Sequence, residues 1–222
     1  IGNIGGIQLA KKNGLDMAKE AVEDLEADDL AIHLNPLQEL IQMEGERDWC
    51  GVLNAIEDAV KMLPCPILVK EVGAGISLSV AQRLKNIGVC YIDVACTGGT
   101  SWARIEAERL PKARRDVYAP YLDWGHKITD ILPEMRRSLK HVTIIGSGGL
   151  RHGLDLAKLL CLGCHIGGGA SVILNSLETN NLEIRQEQLF NSLETIKEQL
   201  SIALFLTGMK MSDFMNQCHN KP

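Results

Sequence analysis

Short apolar segments alternate with amphipathic segments along almost the whole chain, and this alternation most constrains the fold. The apolar segments are rich in branched residues, whereas the segments between them repeat apolar residues every three or four positions, the spacing of one helix face. Strands are predicted at residues 1–3, 30–35, 66–72, 90–95, 141–145 and 164–169, and helices at residues 15–25, 53–63, 77–86, 131–139, 153–162 and 186–206. Apolar strands joined through helices run parallel, so an α/β fold with a parallel sheet is expected.

Polar residues collect where the predicted strands end. Asn3, Asn35, Lys70 and Thr100 each lie at or just after the C-terminal end of an apolar segment. Active sites of (β/α)8 barrels lie on that face. A Rossmann fold is the alternative, but its glycine fingerprint follows the first strand, whereas the richest glycine loop here comes late in the chain. We therefore expect a (β/α)8 TIM barrel.

The start of the chain suggests that this barrel is incomplete here. The first residue is Ile1 and not Met, and residues 1–5 look like a strand that is already ending. The first strands of a barrel would then be missing, and residues 1–222 would form one domain, the C-terminal two-thirds of the barrel. Because a closed barrel of this type needs all eight strands, an open sheet is expected.

Residues 33–39 carry the densest set of polar groups at a predicted strand end. His33, Asn35, Gln38 and Glu39 bring together an imidazole, two amides and a carboxylate, with no cation beside them in sequence. His33 and Asn35 are two positions apart and are expected on the same side of the strand. Such a carboxylate suits a hard divalent cation such as Mg²⁺. The alternative is a capped turn whose polar groups serve only the turn.

Two further features indicate binding of a phosphorylated cofactor. Residues 146–151 form a glycine-rich loop between a predicted strand and a predicted helix, where backbone N–H groups can approach a phosphate. A plain tight turn is the alternative. Lys70 lies near the end of an apolar strand, where a cation is costly unless it is paired or functional. It either forms a salt bridge or faces an electron-rich cofactor ring.

Composition excludes several classes of partner. The net charge of −5 argues against a general nucleic-acid partner. No apolar run is long enough to span a bilayer, and no signal peptide is recognised, so no membrane association is expected. The cysteine count is odd, at 7, and the cysteines lie in apolar contexts, which favours a reduced, cytoplasmic setting.

Five segments, taken in order, resemble type 2 isopentenyl diphosphate isomerases, the FMN-dependent enzymes of isoprenoid synthesis. The resemblance runs from Asn3 to about Lys210, and it depends on all five segments together, since no single one is specific. The segments are residues 33–39 (HLNPLQE), 69–73 (VKEVG), 98–106 (GGTSWARIE), 123–125 (DWG) and 146–151 (GSGGLR).

The resemblance implies an FMN-binding TIM barrel that converts isopentenyl diphosphate to dimethylallyl diphosphate. It further implies reduced FMN maintained by NADPH, Mg²⁺, a cytoplasmic location and a homo-oligomer, a tetramer or an octamer. In this family the reduced flavin is thought to carry the proton itself. The implied pocket residues are His33, Asn35, Gln38 and Glu106, with Glu39 on the Mg²⁺; the implied flavin residues are Asn3, Lys70 and Thr100, with Gly149, Leu150, Arg151, Ala170 and Ser171 at its phosphate.

The chain departs from the family pattern at several positions. Ala95, Cys96 and residues 126–128 (His-Lys-Ile) are unusual near the flavin, and the family's N-terminal Arg-Lys pair, which grips diphosphate, is not in this chain. Gly167 and Gly169 interrupt the last predicted strand, each at a cost of about 0.5–1 kcal/mol. Two alternatives stay open: another FMN-dependent TIM-barrel oxidoreductase, of the 2-hydroxy-acid type, and a flavin-binding homologue without catalysis.

Overall fold

A computed structural model, which describes residues 1–177 and 181–212, contains one sheet of six parallel strands that follow one another in chain order. The strands are β1 (Gly2–Gly5), β2 (Leu30–Leu34), β3 (Ile67–Glu71), β4 (Tyr91–Asp93), β5 (Thr143–Ser147) and β6 (Ile166–Gly168). The helices are α1 (Gly6–Leu9), α2 (Gly14–Asp24), α3 (Pro36–Ile41), α4 (Val52–Met62), α5 (Leu78–Asn86), α6 (Trp102–Glu108), α7 (Lys112–Tyr118), α8 (Ile128–Ser138), α9 (Gly153–Leu162), α10 (Ser171–Leu174) and α11 (Leu182–Thr207). The predicted parallel α/β arrangement is confirmed.

One face of the sheet supplies the main core. Ile32, Val69, Ile92 and Ile144 stand side by side in the parallel register, and each is fully buried. Burial of a side chain of this size contributes roughly 1.5–3 kcal/mol. The helices between the strands cover this face.

The next register row lies on the opposite face and is polar. His33 on β2 pairs with Lys70 on β3, and Lys70 pairs with Asp93 on β4. Residues paired in a parallel register share a face, so three titratable side chains stand in a row near the C-terminal ends of three adjacent strands.

The sheet is open. Within the described residues, β1 pairs only with β2, and β6 pairs only with β5. On the face that carries the polar row, the side chains of Tyr91 and Ile166 stay 37% and 49% exposed. None of the helices in the described ranges is both long enough and apolar enough to cross a membrane.

The segment between residues 102 and 118, for which the sequence predicts no helix, contains α6 and α7. Both helices are short and lie on either side of Pro111, so they carry too few turns for a clear helical period. Their apolar side chains form a second, smaller core with α3, made of Ile41, Ala103, Ala107, Leu110 and Tyr118. This core holds α6 beside α3.

Other boundaries differ by a few residues. The predicted turn after residue 35 is the helix α3, because Pro36 occupies its first turn, where a missing N–H costs nothing. The last strand is shorter than predicted, and α11 begins earlier, at Leu182. A Cβ on Gly167 would lie 2.3 Å from Leu156 Cδ1, so this glycine permits close packing of α9 against β6.

Candidate functional site

Asn35 is the centre of a hydrogen-bonded cluster at the C-terminal end of β2. It is buried, and its Nδ2 donates to Gln38 Oε1 at 3.3 Å and to Glu39 Oε1 at 3.0 Å. Asn35 directly precedes α3, so residues three and four positions later lie within reach of its side chain. The predicted grouping of Asn35, Gln38 and Glu39 is therefore present in the structure.

Glu106 joins this cluster from α6. Gln38 Nε2 donates to Glu106 Oε1 at 3.3 Å, although 68 positions separate the two residues. The Glu106 carboxylate is buried, and Arg109 Nη1 lies 3.3 Å from Oε2. Because the Arg109 side chain is largely exposed, this ion pair adds little stability.

Glu39 is held by the protein through both of its oxygens. Oε1 accepts the bond from Asn35, and Oε2 accepts the backbone N–H of Glu46 at 2.9 Å. Each carboxylate oxygen retains a second lone pair. The carboxylate is therefore fixed in direction and can still bind a cation.

His33 lies apart from the Asn35 cluster. Its Nδ1 is 3.3 Å from Asn3 Nδ2 on β1, and no hydrogen bond joins it to Asn35 within the described chain. Partial burial, and then the positive charge of Lys70, lower the pKa of His33, while Glu39 opposes the change. The lowered pKa favours a neutral imidazole that can accept a hydrogen bond.

A cavity of about 410 Å³ opens at the C-terminal ends of β3 to β6. Six of the residues predicted to bind flavin line it: Lys70, Thr100, Gly149, Leu150, Ala170 and Ser171. Lys70 is the one cation among the described lining residues, and it forms no salt bridge with any described residue. The salt-bridge alternative for Lys70 is therefore not met.

The loops around this cavity carry free hydrogen-bond donors. The backbone N–H groups of Gly149, Leu150, Ala170 and Ser171 donate to no protein acceptor in the described part of the chain. Gly149 is partly buried and Leu150 is buried, where N–H groups normally find a partner, whereas Ala170 and Ser171 are exposed. The four donors and the Lys70 ammonium group suit an anionic group such as a phosphate.

The glycines of the loop after β5 also have a packing role. A Cβ on Gly149 would lie 2.4 Å from the carbonyl oxygen of Gly98, and a Cβ on Gly148 would lie 2.1 Å from that of Cys96. Both glycines also have positive φ. The loops after β4 and β5 thus pack backbone against backbone, and a side chain at either glycine would separate them.

Two predicted flavin residues lie elsewhere. Asn3 contacts His33 and does not line the cavity. Arg151 is exposed and lines a separate cavity near α9 and α11, and its backbone N–H donates to Asp155 Oδ2 at 3.2 Å. His152, which follows it, caps α9 through Nδ1.

Glu71 is a residue of the site that the sequence did not single out. Its Oε2 accepts the successive N–H groups of residues 72–75, at 2.7 Å for Val72 and Gly73 and 3.1 Å for Gly75. Burial raises the pKa of this carboxyl, and the four hydrogen bonds oppose the rise. Glu71 fixes the loop after β3, which borders the cavity.

Asp93 is the second residue that was missed. Its Oδ1 accepts from Ser147 Oγ at 2.6 Å and from the N–H of Ala95 at 3.1 Å. Burial raises the pKa of Asp93, while these two bonds and the nearby Lys70 lower it. The sequence of β4 could not reveal Asp93, because a strand of three residues is too short to show alternation. The register of β4 with β3 and β2 is what places Asp93 beside Lys70 and His33.

The departures near the cavity have structural consequences. Ala95 adopts a positive φ of 38°, and its N–H is held by Asp93. Cys96 is buried, and this burial, with the negative charges of Asp93, Glu71 and Asp130, raises the pKa of its thiol to about 12. Cys96 is therefore a protonated, inert side chain at neutral pH.

The Asn35 cluster adjoins the cavity. Gln38 lines a narrow cleft whose walls include Glu71, Val72, Gly73 and Trp102, and the same four residues line the larger cavity. A ligand in the cavity can therefore be approached from the side of Gln38, which is joined to Glu39 through Asn35. The cavity thus combines free N–H groups and the Lys70 ammonium group with the Gln38 amide beside it.

The parallel sheet, with a glycine-lined cavity at the C-terminal ends of its strands, defines an α/β-barrel protein whose barrel is not closed among the described residues. Residues 12–220 match the family described as FMN-dependent dehydrogenase, and the chain belongs to that family.

Among solved structures, a mandelate oxidase variant with benzaldehyde has a TM-score of 0.63 at 17% identity, covering 94% of this chain and 58% of its own. A flavocytochrome b2 variant with benzoylformate has a TM-score of 0.61 at 16% identity, covering 93% and 50%. At these identities the likeness concerns the fold, and it confirms the predicted barrel class.

Curated relatives are more similar in sequence. The isopentenyl-diphosphate delta-isomerase of Stutzerimonas stutzeri (strain A1501) is 44% identical over 94% of this chain and 59% of its own length. That of Pseudescherichia vulneris is 43% identical over 98% and 61%. That of Nostoc sp. is 40% identical over 93% and 58%. The chain thus spans about three-fifths of the relatives it matches, and the resemblance read from the five segments is confirmed.

The site residues suit FMN, and they suit Mg²⁺ only where other ligands complete its coordination. The unpaired Lys70 and the four free N–H donors suit the anionic parts of a flavin nucleotide. No cluster of three or more His, Cys, Asp or Glu side chains among the described residues could hold a metal by itself. Glu39 therefore fits Mg²⁺ only as one carboxylate ligand that shares the ion with substrate phosphates and water, a usual arrangement for this metal.

Proposed function

We propose that the protein is an FMN-dependent isomerase that interconverts isopentenyl diphosphate and dimethylallyl diphosphate. The observation that carries this proposal is the position of the Asn35 cluster, which meets the glycine-lined cavity across the cleft at Gln38. The reaction moves one double bond by adding a proton to one carbon and removing a proton from another. It requires a site that holds a diphosphate beside a proton-carrying group.

Each part of the site has a separate role in this proposal. Lys70 binds the electron-rich ring of FMN, and Thr100, Gly149, Leu150, Ala170 and Ser171 surround the nucleotide. When bound and reduced with NADPH, FMN supplies the electron-rich ring that gives and takes the proton. Glu39 holds Mg²⁺ against the diphosphate, and Asn35 directs Glu39 and Gln38 toward it. Glu106 fixes Gln38 and presents a buried carboxylate to the pocket.

The oxidoreductase alternative has less support. A 2-hydroxy-acid oxidoreductase requires a histidine base and an arginine that binds the substrate carboxylate, both facing the flavin. The adjacent pair Arg151 and His152 lies in a different cavity, and His152 Nδ1 is occupied by the α9 N-terminus. The cavity that suits FMN has no arginine or histidine among its described lining residues.

The test is an assay of the intact protein with isopentenyl diphosphate, FMN, NADPH and Mg²⁺ in D₂O, followed by NMR. We expect dimethylallyl diphosphate to form with deuterium incorporated, and no product when FMN or Mg²⁺ is withheld. Conversion of a 2-hydroxy acid such as mandelate, without isomerisation, would support the oxidoreductase. Binding of FMN without either reaction would support a non-catalytic homologue.

We also propose that the intact protein is a cytoplasmic homo-oligomer, a tetramer or an octamer. The support is the outer face of α11, where Phe190, Leu193, Phe205 and Leu206 are exposed. Light scattering of the purified protein measures the oligomer size, and a monomer at every concentration would contradict the proposal.

A further inference from the structure

Asp93 lies in the floor of the cavity, beside Lys70, without forming a salt bridge to it. The two residues are register partners on adjacent parallel strands, which lie about 4.8 Å apart. Both line the cavity, yet their charged atoms are not within salt-bridge distance of each other. Each of the two charges therefore acts on a ligand in the cavity as well as on the other charge.

The carboxylate of Asp93 is fixed by one oxygen only. Oδ1 accepts from Ser147 on β5 and from the N–H of Ala95 after β4. Oδ2 has no hydrogen bond with a described residue, and it is not among the buried atoms that lack a partner, so it remains accessible. Since Asp93 lines the cavity, a negative oxygen is available on its floor.

This geometry affects how strongly the cavity stabilises negative charge on a bound flavin. Lys70 alone would favour the extra negative charge of reduced FMN over the neutral ring of oxidised FMN. A carboxylate on the adjacent strand opposes that preference, because charges near the flavin ring tune its electronics. Burial raises the pKa of Asp93, and the two hydrogen bonds and the neighbouring ammonium group oppose this rise by favouring the ionised form.

We propose that Asp93 is a positioning residue that offsets the charge of Lys70 and thereby weakens the preference of the cavity for reduced FMN. The inference rests on the proposed binding of FMN in this cavity. Its negative charge opposes that of Lys70 at the cavity, and its hydrogen bonds to Ser147 and Ala95 hold the carboxylate in place. It thus sets the balance between oxidised and reduced cofactor without taking part in the proton transfer.

The test compares the dissociation constants of oxidised and reduced FMN in the intact protein, together with the midpoint potential. Asp93→Asn keeps an acceptor for Ser147 and Ala95 and removes the charge. We expect it to raise the ratio of the oxidised to the reduced constant about tenfold, a rise in potential of roughly 30 mV for a two-electron couple. Ser147→Ala removes the same hydrogen bond and keeps the charge, so its ratio should stay within about twofold of wild type.

A second comparison removes the Asp93 charge from a protein that lacks the Lys70 charge. Lys70→Gln should lower the ratio, and adding Asp93→Asn to Lys70→Gln should raise it again by about tenfold, because the pair of charges is then removed together. An unchanged ratio on removal of the Asp93 charge, with FMN still bound, would overturn the inference alone. Equal shifts in Asp93→Asn and Ser147→Ala would overturn it as well, since the hydrogen bond would then be responsible. A wild-type protein that binds no FMN would overturn the proposed function and this inference together.

Discussion

At the scale of single residues, Glu39 gives the most specific test of the proposed reaction. Glu39→Gln keeps the size and one acceptor for Asn35 but removes the charge, so we expect weaker binding of Mg²⁺ and diphosphate together. The turnover number should fall by roughly 10²-fold or more, the scale of losing a group that stabilises charge. The absorbance spectrum of bound FMN should not change.

The matched control is Glu44→Gln, which makes the same charge change on the exposed loop that follows α3. Its turnover should stay within about twofold of wild type, because exposed charges act weakly through solvent. Near-normal turnover of Glu39→Gln at ordinary Mg²⁺ concentration would refute the metal role.

Glu71 allows a second prediction, on stability. Burial outweighs the four hydrogen bonds and raises the pKa of Glu71, so its negative charge adds no net stability to the fold. Glu71→Gln should therefore change the free energy of unfolding by less than about 1 kcal/mol, whereas Glu71→Ala leaves the N–H groups without an acceptor and should cost roughly 2–4 kcal/mol. Urea unfolding of both variants measures the difference, and equal losses would show that the charge, and not the acceptor, stabilises the loop.

Some residues of the site could be predicted from the sequence, and others could not. Asn35, Gln38 and Glu39 are close in sequence, so a strand end and one helical turn bring them together. Glu106 was recognised by resemblance, but its bond to Gln38 depends on α3 packing on α6, which no local pattern indicates. Glu71 and Asp93 were missed because their partners are backbone groups and a register neighbour.

At the scale of elements, two helices begin with the same cap and differ in what they carry. Ser77 Oγ accepts the N–H of Val80 at the start of α5, and Ser101 Oγ accepts the N–H of Arg104 at the start of α6, both at 3.3 Å. Ser77→Ala and Ser101→Ala should each cost about 1 kcal/mol.

Only α6 carries Glu106, so only Ser101→Ala should also lower turnover, by about fivefold, through displacement of that carboxylate. Thermal unfolding and the isomerase assay separate the two effects. A loss of turnover of the same size in Ser77→Ala would indicate general loosening of the fold.

Strands were predicted more reliably than short helices. Branched residues buried on the core face mark β2, β3 and β5 by their composition alone. By contrast, half of the positions in α6 and α7 are charged, and some of their apolar residues pack on α3, far away in sequence. Long-range packing, and not local propensity, stabilises them.

At the scale of the whole molecule, the open sheet determines how these 222 residues behave when produced by themselves. Both edge strands present unpaired backbone groups, and Tyr91 and Ile166 are partly exposed on the open face. Unpaired edges and apolar surface favour association. We expect this chain alone to self-associate and to bind the dye ANS.

Size-exclusion chromatography and ANS fluorescence check this expectation, with the intact protein as the control. A monomer that unfolds cooperatively and binds no ANS would contradict it. The open sheet was foreseen from the count of apolar segments, whereas the exposure of individual side chains depends on the register, which composition does not specify.

The carboxylate of Glu71 has a consequence for where other anions can bind. The N–H groups of residues 72–75 are already occupied by an anion that belongs to the chain, so an anion from solvent would have to displace a covalently tethered competitor. The N–H groups of Gly149 and Ser171 have no such competitor within the described residues. The phosphate of the proposed flavin is therefore expected at the other two loops.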